Sequence, residues 1–167
     1  MDTTATNPFA VLSLIVAPAI LTNASTVLIM STSNRLARSV DRAREISKQL
    51  EVETDWHSPT AVRRLRELDA AESRALLLMK ALRNFYRALG AFAFASLISL
   101  LGALIVPLET RPMIAIMEAV GVISGVVAVG ALLNGSRLLL RETGIAVQIL
   151  TARVDSLRAR AEETTPV

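Results

Sequence analysis

The chain has 167 residues, with 18 Lys and Arg against 15 Asp and Glu, one His, no Cys and 52% hydrophobic side chains. That apolar content describes a small integral membrane protein of one domain rather than a soluble domain, and the formal charge of +3 lies beside the apolar segments instead of forming a nucleic-acid surface. Without Cys there is neither a disulfide framework nor a thiolate metal site, and His57 alone cannot form a histidine cluster.

The first helix is expected to organise the chain. Asn7 to Asn34 contains no charged side chain, and at about 1.5 Å per residue it exceeds the roughly 20 residues that cross a bilayer. Asn7 and Pro8 read as an N-cap and first helical position, and Pro18 predicts a kink. Asp2, and no Lys or Arg, precedes the apolar run, so the segment is expected to stay as an anchor and not to be cleaved as a signal peptide. The span is placed at about 9–34, continuing as a basic amphipathic helix over about 35–53 with Leu36, Val40, Ala43 and Leu50 on one side.

Within that span lies a polar ladder, Thr22, Asn23, Ser25 and Thr26, followed by Ser31 to Asn34. At about 100° per residue, Thr22, Thr26, Met30, Ser33 and Ala37 share an arc of roughly 80°, with Asn23, Asn34 and Asp41 at its edge. Lipid offers such groups no partner, so they are expected to face other helices or water.

Trp56 and His57 sit in a short connection, after which Ser58 and Pro59 repeat the cap-then-proline signal. The second helix is expected as a charged cytoplasmic stretch over about 59–87, with Leu65, Leu68, Leu76, Met79 and Leu82 as its seam. It then spans about 88–108, with Phe85, Tyr86 and Arg87 at the interface. Ala91, Ala95, Ser99 and Ala103 recur at every fourth position, which permits close approach of another helix. After a tight outer turn from Glu109 to Pro112, the third helix is expected to span about 113–136 with the pair Gly121 and Gly125, then to continue over about 137–163. Its seam is Leu140, Val147, Leu150, Val154, Leu157 and Ala161.

Among the 18 Lys and Arg, only Arg111 falls in the outer turn, so the positive-inside rule places the N-terminus outside and the C-terminus inside. The expected fold is therefore all-α: three transmembrane helices whose long cytoplasmic extensions form a helical bundle. The chain shows no nucleophile with a base and orienter, no phosphate loop and no metal spacing; neither an enzyme nor a cofactor is expected.

Candidate pore-lining residues are Thr22, Asn23, Thr26, Met30, Ser33 and Asn34; Glu118 inside the third span and Asp41 are candidate ion or gating positions. Candidate helix-packing residues are Ala91, Ala95, Ser99, Gly121 and Gly125. Three spans cannot enclose water alone, so the pore reading requires self-association into a homo-oligomeric ring that conducts small ions, leaning toward cations because of Asp41. The competing reading is a non-conducting scaffold or sensor whose cytoplasmic bundle binds a partner.

The segment Ala10 to Ser25, followed by Thr32-Ser33-Asn34-Arg35-Leu36-Ala37-Arg38 and Asp41-Arg42, resembles the small bacterial membrane proteins grouped as domain of unknown function 2721. The resemblance implies a multi-pass protein of the bacterial inner membrane, and it implies no activity.

Overall fold

The structure, a computed structural model, describes residues 8–105 and 111–163 and is built from three helices, α1 (Pro8–Glu51), α2 (Pro59–Ile105) and α3 (Arg111–Glu163). The expected cap at Asn7 and the turn residues Glu109 and Thr110 lie outside the described residues, as does the side chain of Ala103. Two of the helices, over Pro59–Gly102 and Pro112–Thr151, are long and apolar enough to cross a membrane. Only 22% and 6% of their most apolar windows are buried, whereas the core helix of a soluble protein hides its apolar side chains. α1 continues as one helical element through position 18.

The chain falls into two compact units, one of Met1–Thr32 with Ala81–Gly135 and one of Ser33–Lys80 with Ser136–Val167. Their boundaries lie within a few residues of the ends of the two densely charged stretches, Arg35 to Arg87 and Arg137 onward.

In the first unit the core is Ala88, Phe92 and Ala128, with Leu21, Ala91, Ala131 and Leu132 packed against it. From α1 the buried positions are Ser25, Ile29 and Thr32. Ser25 Oγ donates to the Leu21 carbonyl at 2.8 Å, which gives the hydroxyl an acceptor on its own helix. The small face of α2 meets α3 as its spacing suggests: Ala95 is buried, Ala91 and Ser99 are half-buried, and Ser124 Oγ donates to the Ala91 carbonyl at 2.9 Å. The closest approach, however, is not at the expected glycine pair. A Cβ on Gly125 would meet nothing within 4 Å and one on Gly121 only Ile98 at 3.7 Å, whereas on Gly135 it would lie 2.5 to 3.0 Å from three atoms of the Phe85 ring. Phe85 is fully buried there, packed against α3. The GxxxG spacing permits a close approach; the ring that fills the space decides where it occurs.

In the second unit Ile46, Leu50, Ala61, Ala71 and Leu78 are buried, and Ser39 Oγ donates to the Ala71 carbonyl at 3.1 Å. The expected α2 seam is corrected in composition: Leu65, Leu76 and Met79 are exposed, and alanines take much of the contact. Two helices that approach closely bury small side chains and turn long ones aside. The described part of the expected α3 seam likewise faces outward, with Leu140 at 73% exposure and Val147, Leu150 and Val154 exposed beside it, while the side chains of Leu157 and Ala161 lie outside the described residues.

The α1–α2 connection is fixed by its polar groups. Asp55 Oδ1 accepts from the His57 amide at 3.0 Å, and Ser58 Oγ accepts from the Ala61 amide at 3.1 Å as the N-cap of α2.

Candidate functional site

In the first unit the face of α1 that packs is Ser25, Ile29 and Thr32, and the expected stripe turns away from it. Asn23, Thr26 and Met30 are exposed and Thr22 is half-buried at the edge of the packed face. Thr26 Oγ1 donates to the Thr22 carbonyl at 3.1 Å. The Asn23 amide has no side-chain hydrogen bond among the described residues. Glu118 is also exposed, off the face that carries buried Ala128, and forms no ion pair among the described residues. It therefore does not share the packed side of α3, as its spacing from Gly121 and Gly125 suggested.

The second unit holds the remaining stripe positions. Ser33 is half-buried, and Asn34, Ala37 and Asp41 are exposed. Its strongest electrostatic feature was not singled out from the sequence. Glu142 on α3 is fully buried and ion-pairs with Arg35 of α1 through Oε2 and with Arg74 of α2 through Oε1, at 2.8 Å from Nη2 and 2.9 Å from Nε. One carboxylate thus holds a guanidinium from each of the other two helices. Arg35 also donates to Thr143 Oγ1 at 3.1 Å, and Thr143 donates to the Leu139 carbonyl at 2.9 Å.

Burying the carboxylate costs several kcal/mol of hydration, which is offset only because both of its oxygens are matched by charged donors. The signal for it is present in the sequence: Glu142 is flanked at helical spacing by Leu138, Leu139, Ile145 and Ala146, a carboxylate on an otherwise apolar face. The arrangement takes Arg35 away from the stripe that precedes it on α1. Arg42 is likewise held by Glu67 at 3.2 Å, while Asp41 forms no ion pair among the described residues.

A cavity of about 440 Å³ beside the α1–α2 connection is lined by Glu45, Lys48, Gln49, Val52, Glu53, Thr54 and Arg64. Arg64 and Glu53 pair there at 2.7 Å, and Glu45 accepts from the Gln49 side-chain amide at 2.9 Å. Among the described residues no group of three His, Cys, Asp or Glu side chains could hold a metal ion.

The family model for a protein of unknown function (DUF2721) matches residues 15–152. The chain belongs to the DUF2721 family. That span contains the α1 stripe and all three members of the Arg35–Glu142–Arg74 cluster, so the features described lie within the part shared with DUF2721. No curated protein and no solved structure matches the chain.

Proposed function

We propose that this DUF2721 protein crosses the bacterial inner membrane three times, N-terminus outside and C-terminus inside, and assembles into a homo-oligomeric ring in which α1 lines a path for small cations. The observation that carries the reading is the division of labour on α1. Ser25, Ile29 and Thr32 are used in packing, while Asn23, Thr26, Met30 and Asn34 are left exposed in a segment without charge. A primary amide such as that of Asn23 is poorly accommodated by lipid, so the exposed polar face calls for water or another copy of the chain.

Two further features support assembly and a preference for cations. Leu140, Val147, Leu150 and Val154 form an exposed apolar stripe at heptad spacing, suited to a neighbouring helix. Arg35 and Arg42 are engaged by Glu142 and Glu67, Arg38 donates to the Asn34 carbonyl, and Asp41 beside the stripe forms no ion pair among the described residues. The exposed carboxylate of Glu118 is a second candidate for contact with a permeating ion.

A specific observation favours the alternative of a non-conducting scaffold. The Thr26 hydroxyl is already satisfied by the Thr22 carbonyl and needs no water. Counting the subunits of the purified protein by native mass spectrometry separates the readings, because a ring of several copies is required for a central aqueous route. A monomer or dimer that carries no current in planar bilayers would end the pore proposal and leave the scaffold.

A further inference from the structure

One face of α2 is unused by the first unit and changes character along its length. Tyr86 and Arg87 lie three and four residues after Arg83, so all three lie on the same side of the helix. All three are exposed, Tyr86 at 54%, and neither arginine has an ion pair among the described residues. One turn further along is Gly90, exposed, where a Cβ would meet nothing within 4 Å. Beyond it, Phe94, Leu97 and Leu101 continue the same face as exposed apolar side chains.

Cation pair, phenol, gap and apolar track occur in the order in which an anionic phospholipid presents phosphate, glycerol and acyl chain. We propose that Arg83, Tyr86 and Arg87 bind the phosphate of an anionic phospholipid, whose acyl chain lies along Gly90, Phe94, Leu97 and Leu101. Two guanidiniums four residues apart can donate to the oxygens of one phosphodiester, and the phenol hydroxyl adds a third donor at the level where aromatic side chains favour the membrane interface. Gly90 contributes by having no side chain, which leaves the helix surface open below the headgroup. Two positive charges without an ion pair among the described residues, at the start of an apolar span, select a negative lipid over a zwitterionic one. The proposal requires α2 to cross a bilayer and does not depend on α1 conducting anything.

The test compares lipid binding to the purified full chain by native mass spectrometry, titrating phosphatidylglycerol against phosphatidylcholine of the same acyl length. The expected result is preferential retention of phosphatidylglycerol, with the preference falling roughly tenfold in the Arg83→Gln/Arg87→Gln variant. Arg44→Gln, which removes an exposed charge elsewhere, is expected to keep it. Helical content and subunit count are followed in parallel, so that a loss of fold is recognised; Tyr86→Phe, a milder change, is expected to weaken the preference without altering either. Equal retention of the two lipids by the unmodified chain would overturn the proposal, as would an unchanged preference in the double arginine variant. Absence of current in bilayers would count against the pore alone.

Discussion

Breaking the Arg35–Glu142–Arg74 cluster from either side should have unequal consequences. The Glu142 side chain is 0% exposed, whereas Arg35 and Arg74 each retain 35% exposure. In Arg35→Gln/Arg74→Gln a carboxylate is left buried without a charged partner, a change that typically costs about 3–5 kcal/mol. In Glu142→Gln the orphaned groups are guanidiniums that already reach solvent, so most of their hydration is recovered and the loss should be about 1–2 kcal/mol. Changing all three to Gln leaves no unmatched charge, and its cost should stay near that of Glu142→Gln and below that of the double arginine variant. Unfolding free energies measured in mixed micelles at one pH provide the comparison. The reasoning is refuted if Glu142→Gln is as damaging as the double arginine change, or if the triple variant is the least stable of the set.

Three other expectations follow from the packing and the charge distribution. Gly135→Ala places a methyl group against the buried Phe85 ring and should destabilise by about 1–3 kcal/mol, whereas Gly125→Ala enters open space and should be neutral or stabilising through helix propensity; thermal unfolding of both variants checks the contrast. Ser58→Ala removes the cap of α2 and should cost about 1 kcal/mol, measured in the same way. Compartment-sensitive reporters on the two ends should place the N-terminus outside and the C-terminus inside, and finding both on one side would exclude three spans.

Much of the helical layout is legible in the sequence because its signals are local. Ser58 and Pro59 mark the start of α2, and the Ser58 hydroxyl accepts from the Ala61 amide as such a cap should. α1 ends at Glu51, two residues before the expected limit, where the chain turns and the Glu53 amide bonds to the Leu50 carbonyl. Contacts between helices are less legible, because periodicity names a face without naming what it meets. Large leucines draw the expected α2 seam toward Leu65 and Leu76, yet both are exposed, and Ala61, Ala71, Ala81 and Ala88 are buried beside Leu78 and Phe85, since close helices bury many small residues. Glu142 was hidden for a related reason: beside Arg137 and Arg141 it looks like part of a solvated charged surface, and only the arginines on the other two helices make its burial tolerable.

Water access along α1 decides whether its exposed polar face is a pore wall. The chain has no native Cys, so single cysteines can be introduced one position at a time and treated with membrane-impermeant thiol reagents in reconstituted vesicles. The stripe positions Thr22, Asn23, Thr26, Ser33 and Asn34 should react, while Leu21 and Leu28, on the opposite side of the helix, should not. Ile20 and Val27 provide the sharper control, because both are 62% exposed in the single chain yet lie off the stripe and should be covered by lipid or a neighbouring subunit. Labelling of the stripe with Ile20 and Val27 protected is the predicted result; equal labelling of all exposed positions, or none at the stripe, would contradict an aqueous path along α1.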